Sequence, residues 1–113
     1  MELQQMRYAL AIAEEQSFTR AAERCFVVQS ALSRQIKSLE SELGLTLFAR
    51  TSRKVKVTPA GEAFLEQARL CLQAADRAKV EAALAPKNTI FEAVGLPTLD
   101  PAEVSNHLLS FAD

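Results

Sequence analysis

Signals that start and stop helices recur at short intervals between residues 17 and 61, and they constrain the fold more than any other feature of the chain. Ser17 offers a hydroxyl that can cap a helix start, and Gly44 follows the last apolar position of a helical pattern, where a residue with positive φ commonly ends a helix. Thr58 and Pro59 then provide another cap and a favoured first helical residue. Because only short elements fit between these signals, the segment predicts two small helices followed by a hairpin.

The helix predicted over residues 29–43 has one apolar side and one polar side. Its apolar residues recur at spacings of four, three and four and form one core-facing ridge of Leu32, Ile36, Leu39 and Leu43. The opposite side carries Ser30, Ser33, Arg34 and Lys37. Such a side usually does no more than face solvent. However, an ordinary exposed helix mixes both signs of charge, whereas residues 27–38 contain no Asp or Glu, which favours contact with an anionic surface.

Two shorter amphipathic segments precede this helix. Apolar residues at steps of three and four predict a first helix over about residues 2–16. Its buried stripe consists of Leu3, Met6, Leu10 and Ala13. A second helix follows the Ser17 cap and contains Ala21 and Ala22, whose small side chains let another helix approach closely. Together with the helix over 29–43, it predicts a helix-turn-helix over residues 18–37.

Residues 47–58 predict a β-hairpin, called the wing below. The segments 47–50 and 55–58 are short enough for strands, and Val55 and Val57 alternate with Lys56 as burial on one side requires. Between them lies the polar turn Thr51-Ser52-Arg53-Lys54, which makes the tip of the wing basic. Three helices followed by this hairpin predict a mainly α, winged helix-turn-helix domain over residues 1–58.

A long helix is predicted over residues 59–85, followed by a tail over 86–113. Its apolar stripe has a period of roughly 3.5 residues and consists of Phe64, Leu65, Ala68, Leu72 and Ala75. A helix of roughly 25 residues extends well past so small a domain, so its outer half needs a partner, and this stripe is the surface expected to contact it. Pro86 ends the helix, and Asp100-Pro101 predicts a short helix over 101–112 in the tail.

Composition narrows the class of protein. The formal net charge is −1, yet residues 18–57 contain eight basic and three acidic side chains, so a charge of +5 is concentrated there. With 113 residues, of which 49% are hydrophobic, the chain can bury one modest core. Because neither a signal peptide nor an apolar run of membrane length is found, we expect a cytoplasmic, nucleoid-associated protein.

Metal, cofactor and catalytic chemistry find little support in the sequence. Cys25 and Cys71 are too far apart to resemble paired zinc ligands and are expected to be small packing residues. The single histidine, His107, is expected at the surface, and three glycines form no phosphate-binding loop. We therefore expect no metal, no cofactor and no enzyme activity.

The polar side of the 29–43 helix has the chemistry needed to read double-stranded DNA. A helix fits the major groove, where Gln29 can pair with adenine and Arg34 with O6 and N7 of guanine. Ser30, Ser33 and Lys37 suit phosphates or tolerant base contacts. The basic tip of the wing suits phosphates or the minor groove, although a solvated turn is the ordinary alternative.

A series of motifs in one register resembles the N-terminal domain of LysR-type transcriptional regulators over residues 1–84. The motifs are Ser17-Phe18-Thr19-Arg20-Ala21-Ala22, Gln29-Ser30-Ala31-Leu32-Ser33-Arg34-Gln35-Ile36, Leu39-Glu40, Leu43-Gly44, Leu47-Phe48 and Thr58-Pro59-Ala60-Gly61. The resemblance implies a bacterial transcription factor that binds an interrupted palindrome near promoters and dimerises through the helix after the wing.

The family's DNA contacts can be carried over by position. The resemblance places major-groove contacts at Gln29, Ser30, Ser33, Arg34 and Lys37. It places wing contacts at Arg50, Thr51, Ser52, Arg53 and Lys54. It places weaker contacts with the DNA backbone at Thr19 and Arg20.

Two departures from the family pattern bear on function. Val28 stands where the family often has serine, so the first turn of the helix over 29–43 must be held by Gln29 or by packing. The family normally continues into a large α/β effector-binding domain, and we expect no small-molecule effector site in this chain.

Two functions of different classes remain open. The first is a sequence-specific DNA-binding module that acts constitutively as a homodimer or a higher oligomer. The second is an interaction protein whose long helix forms heterodimers with a full-length regulator and blocks its DNA binding. The two are distinguished by whether the chain alone shifts a palindromic promoter fragment.

Overall fold

The structure is a computed structural model that describes residues 1–51 and 54–86. The elements in chain order are α1 (Leu3–Glu15), α2 (Phe18–Arg24), α3 (Gln29–Leu43), β1 (Phe48–Arg50), β2 (Val55–Val57) and α4 (Pro59–Leu84). The predicted mainly α fold, with a hairpin wing after three helices and a long helix after the wing, is confirmed. The helix predicted over 101–112 lies outside the described residues.

The chain divides into two compact units, Met1–Ala78 and Lys79–Asp113, and the packing described below lies within the first. Its core forms where α1, α2 and α3 pack against one another. α1 buries a face centred on Ala9 and Ile12. The predicted stripe of α1 was partly wrong, because Leu3 is exposed and Leu10 and Ala13 are only half-buried. Steps of three and four fit two adjacent faces of a helix, and packing selects between them.

Local capping signals set the helix-turn-helix. The Oγ of Ser17 accepts a hydrogen bond of 3.1 Å from the backbone N–H of Arg20, which confirms the predicted cap of α2. Ala21 and Ala22 are buried, and α2 packs against both α1 and α3. Gly44 ends α3 with a φ of +68°, a conformation that glycine adopts without a steric penalty.

The turn between α2 and α3 contains two exposed apolar residues. Phe26 adopts a φ of +58°, which is uncommon for a residue other than glycine, and its side chain is 95% exposed. Across the turn, the N–H of Val27 donates to the carbonyl of Ala22 at 3.0 Å. Val28 precedes α3 with extended backbone, and its exposed side chain has no polar atom with which to cap the helix.

The wing is a short antiparallel hairpin that α3 holds at its base. Phe48 of β1 pairs opposite Val57 of β2. Oε2 of Glu40, on α3, accepts hydrogen bonds from the backbone N–H groups of Leu47 at 2.6 Å and Phe48 at 3.4 Å. The start of β1 is therefore bonded directly to α3.

Thr58 and Gly61 bring the start of α4 close to the wing. Oγ1 of Thr58 donates to the carbonyl of Thr46 at 2.6 Å and accepts from the N–H of Gly61 at 3.0 Å, which confirms the predicted capping role of Thr58. A Cβ on Gly61 would overlap the carbonyl oxygen of Leu47 and would lie 2.7 Å from Cγ1 of Val57. The close approach of the backbones explains why glycine occupies this helical position.

Candidate nucleic-acid interface

The apolar ridge of α3 faces the core and its polar residues face outward, as predicted. Leu32 and Leu39 are 0% exposed and Ile36 is 1% exposed. The polar residues form a contact face, defined here as Gln29, Ser30, Ser33, Arg34 and Lys37. Four of these five are exposed, and Ser33 is half-buried. The contact face is thus a solvent-accessible polar surface on a firmly packed helix.

Arg34 and Lys37 lie beside a basic residue of the wing. A surface cleft of about 420 Å³ is lined by Ser33, Arg34, Lys37, Glu40 and Arg50. Nε of Arg34 donates to the carbonyl of Ser30 at 3.4 Å, which uses one of the five N–H donors of the guanidinium. The two terminal nitrogens carry the other four donors, and these are the donors that pair with guanine or phosphate in protein–DNA complexes.

Arg50 is supported by a pair of aromatic rings. Its guanidinium carbon lies 3.9 Å from the centre of the Phe18 ring, within the range of a cation–π interaction. The Phe18 ring in turn meets the Phe48 ring edge to face at a centroid distance of 6.1 Å. Arg50 is the last residue of β1 rather than part of the turn, so the wing presents it next to α2 and α3.

A second cleft gathers candidate residues from α2, α3 and the wing. It has a volume of about 410 Å³, and its lining includes Thr19, Arg20, Gln29, Arg50, Thr51 and Lys54. Within it, Oγ1 of Thr19 donates to Oε1 of Gln29 at 2.9 Å. The structure therefore brings these six predicted residues together, whereas Ser52 and Arg53 lie outside the described residues.

The two arginines of α2 are bonded to the end of α1. A terminal nitrogen of Arg20 donates to the carbonyl of Glu15 at 3.0 Å. Arg24 lies 2.6 Å from a carboxylate oxygen of Glu14 and 3.7 Å from one of Glu15. The hydrogen bond that Arg24 donates to Glu14, together with the negative charge of that carboxylate, raises the pKa of Arg24 above its ordinary value. Arg20 is thereby held at the edge of the second cleft, and Arg24 is paired with acidic residues.

The five predicted dimerisation residues of α4 do not share one environment. Leu65 is 2% exposed and belongs to the core of the first unit, and Ala68 is 1% exposed. Phe64, Leu72 and Ala75 are half-buried. Two of the five side chains are therefore already covered by this chain's own residues, and the other three remain accessible in part.

The supporting roles of Glu40 and Phe18 were not predicted from the sequence, in which each residue stands out only as part of a motif. Glu40 bonds a backbone seven residues away, and Phe18 contacts residues about 30 positions away. No local pattern marks such contacts, because they depend on how the elements pack.

Among residues 1–51 and 54–86, no group of three or more His, Cys, Asp or Glu side chains could hold a metal ion. None of the described helices is both long and apolar enough to cross a membrane.

Comparisons with known proteins point to one family. The model of the family described as "Bacterial regulatory helix-turn-helix protein, lysR family" matches residues 3–62. The HTH-type transcriptional regulator BenM of Acinetobacter baylyi is 53% identical over 68 residues, which cover 60% of this chain and 22% of BenM. BudR of Klebsiella aerogenes is 50% identical over 78 residues, which cover 69% of this chain and 54% of BudR.

Solved structures are similar as well. The crystal structure of the BenM DNA-binding domain in complex with benA site 1 DNA has a TM-score of 0.71 and 46% identity, covering 74% of this chain and 93% of that chain. The chain spans only 22% of the length of BenM and 54% of that of BudR.

Proposed function

The chain belongs to the LysR family of bacterial regulatory helix-turn-helix proteins, and we propose that it regulates transcription by binding specific sites on double-stranded DNA through α3. The observation that carries the proposal is the contact face. It lacks acidic residues, it is accessible to solvent, and the helix behind it is fixed by the buried side chains of Leu32, Ile36 and Leu39. The similarity to the DNA-bound BenM domain supports this function. Such a protein would be cytoplasmic and associated with the nucleoid.

Each residue of the contact face receives a role from its chemistry. Gln29 and Arg34 contact base edges, since amide and guanidinium groups form paired hydrogen bonds with purines in the major groove. Ser30, Ser33 and Lys37 contact phosphates or add tolerant base contacts.

The wing and α2 supply contacts beside the major groove. Arg50, Thr51 and Lys54 line the cleft next to Gln29 and contact phosphates or the minor groove. On the basis of the sequence, Ser52 and Arg53 make contacts of the same kind. Arg20 contacts the DNA backbone from the edge of the same cleft.

We further propose that two copies associate through α4 and bind a promoter palindrome with one α3 in each half-site. Phe64, Leu72 and Ala75 provide the accessible part of the apolar stripe. Leu65 and Ala68 are buried within each copy, where they pack α4 against its own domain and so hold the interface helix in place. A two-fold symmetric protein matches the symmetry of a palindromic site.

Selection from a random DNA pool tests the proposal. Duplexes bound by the purified 113-residue chain should converge on a palindrome with two half-sites about one helical turn apart. The logarithm of the binding constant should fall with the logarithm of salt concentration at a slope of about −0.9 per phosphate neutralised. Failure to enrich any sequence would refute specific binding.

The same material tests the alternative function. If the chain shifts the selected duplex only together with a longer family member, or abolishes that protein's shift, it acts as a heterodimer-forming inhibitor. A shift by the chain alone supports the homodimeric DNA-binding function.

A further inference from the structure

Thr19 and Gln29 are on different helices, and one hydrogen bond joins their side chains. Oγ1 of Thr19, in α2, donates to Oε1 of Gln29, in the first turn of α3, at 2.9 Å. Both residues are exposed, so burial does not fix the position of either side chain. The hydrogen bond is therefore the interaction that orients the carboxamide of Gln29.

The start of α3 has particular need of such a bond. Val28 stands at the N-cap position and offers no side-chain acceptor to the first turn. The bond from Thr19 links this turn to α2, across the turn that contains Phe26 and Val28.

The bond also limits what Thr19 can do on DNA. A hydroxyl group has one O–H donor and otherwise only acceptor lone pairs. Phosphate oxygens accept hydrogen bonds, so Thr19 cannot donate to a phosphate while it donates to Gln29. The geometry thus favours a contact with Gln29 over a contact with the DNA backbone.

For Gln29, the bond distinguishes the two ends of the carboxamide. Rotation by 180° exchanges the acceptor oxygen with the donor nitrogen, and a base edge distinguishes the two orientations because each base presents its own order of donors and acceptors. With Oε1 held on the side of α2, Nε2 faces the other way. A single orientation remains available to a base.

We propose that Thr19 is a positioning residue that fixes the orientation of the Gln29 carboxamide and thereby sets base preference at one position of each half-site. The inference rests on the proposed binding of α3 in the major groove. It gives Thr19 a role in specificity, whereas the resemblance implied a sequence-independent contact.

Four variants of the full chain test the proposal: Thr19→Val, Thr19→Ser, Gln29→Ala and the double variant Thr19→Val/Gln29→Ala. Valine has nearly the shape of threonine but no donor, and serine keeps the hydroxyl. The base pair read by Gln29 is the one at which Gln29→Ala loses discrimination among the four bases. Circular dichroism checks that each variant keeps its helical content.

The first measurement is made without DNA. Relaxation of the Gln29 side-chain NH₂ group by NMR should show greater motion in Thr19→Val and wild-type motion in Thr19→Ser. Equal motion in all three proteins would show that the hydrogen bond does not hold the amide, and would overturn the proposal.

The second measurement is affinity for the selected duplex with each base at the Gln29 position. Thr19→Val should reduce discrimination there by roughly tenfold, a good base contact being worth about 5- to 150-fold. Thr19→Ser should keep the discrimination, and the double variant should equal Gln29→Ala. Binding of Thr19→Val to random DNA should fall by less than its binding to the selected duplex does.

Two results would overturn the inference while the proposed function stands. In one, Thr19→Val weakens binding to all sequences equally, which assigns Thr19 to a phosphate. In the other, Thr19→Val discriminates as well as wild type does. A wild-type chain that prefers no sequence over random DNA would instead refute the proposed function, and the inference with it.

Discussion

The carboxylate of Glu40 accepts a hydrogen bond of 2.6 Å from the backbone N–H of Leu47, so the helix that carries the contact face also holds the first strand of the wing. The N–H of Phe48 donates to the same oxygen at 3.4 Å. The Phe48 ring packs against the Phe18 ring, and the guanidinium of Arg50 lies over Phe18. The hydrogen bonds that Glu40 accepts from Leu47 and Phe48 therefore couple the position of Arg50 to α3. The side chains of the contact face on α3 and the side chain of Arg50 on the wing are therefore presented together.

Replacing Glu40 with alanine should lower the free energy of unfolding by about 1.5–3 kcal/mol, because it leaves a part-buried N–H without its charged acceptor. Glu40→Gln should lose less, since its amide oxygen can still accept. Urea unfolding followed by circular dichroism measures both. Glu42→Ala is the matched control: Glu42 pairs with the N-terminal ammonium at the surface, and its loss should cost less than about 1 kcal/mol. Equal losses for Glu40→Ala and Glu42→Ala would contradict the prediction.

Gly61→Ala should destabilise the protein by about 1–3 kcal/mol, although alanine ordinarily favours a helix over glycine. The added methyl group would meet the carbonyl oxygen of Leu47 and Cγ1 of Val57. Thermal and urea unfolding measure the effect. Ala74→Gly, at an exposed position of the same helix, gives the propensity effect alone and should cost about 1 kcal/mol. A gain in stability for Gly61→Ala would show that this close approach does not exist.

Phe26→Asn should raise the free energy of unfolding by about 0.5–1 kcal/mol, because asparagine tolerates the left-handed backbone that phenylalanine adopts here at a cost. Little packing is lost, since the Phe26 side chain is 95% exposed. Phe26→Leu is the control, because leucine pays the same backbone penalty. If the asparagine and leucine variants unfold at the same urea concentration, strain at this position is not significant.

The elements themselves could be predicted because their signals are local. The Ser17 cap, the glycine stop at Gly44 and the Thr58 cap each act on residues within four positions, and the bounds of the helices and strands within residues 3–84 agree with the sequence-based expectation to within about two residues. The ridge of α3 was also predictable, since it depends on one helical period.

Contacts between elements could not be predicted in the same way. Glu40 bonds to Leu47, Phe18 meets Phe48 and Thr19 bonds to Gln29 only because the chain has folded. The stripe of α4 illustrates the same limit. A period of roughly 3.5 residues marks apolar positions, but it does not show whether the surface that covers them belongs to the same chain or to another. Leu65 is buried within its own domain, whereas Leu72 is half-buried.

Leu72→Lys should weaken self-association while leaving the folded domain intact. A lysine at a seam between two copies would bury an unpaired charge, but Leu72 is only half-buried in one copy, so its loss costs the domain little. Sedimentation velocity over a range of protein concentrations measures association. Leu65→Ala should behave differently and lower the stability of each domain by about 2–5 kcal/mol. An unchanged sedimentation mass for Leu72→Lys would count against α4 as the interface.

Arg34→Ala should relax specificity at one base pair of each half-site, because we propose that the terminal nitrogens of the lost guanidinium pair with guanine while Nε donates to the carbonyl of Ser30. Discrimination at that base pair should fall by about 1–3 kcal/mol. Titration of the selected duplex and its single-base variants measures this, with random DNA alongside. Arg53→Ala should instead weaken binding to every sequence alike and reduce the salt slope by about 1, as a phosphate contact does.

Arg24→Ala serves as the control for removing a positive charge from the helix-turn-helix. Arg24 is paired with Glu14 at 2.6 Å. Its replacement should therefore change sequence specificity less than Arg34→Ala does, and the salt slope less than Arg53→Ala does. If Arg34→Ala loses affinity equally for the selected and random duplexes, Arg34 contacts a phosphate and the assignment of base reading to it is wrong. If Arg24→Ala matches Arg34→Ala in every measurement, binding depends on total charge, and the contact face is not the surface that reads the sequence.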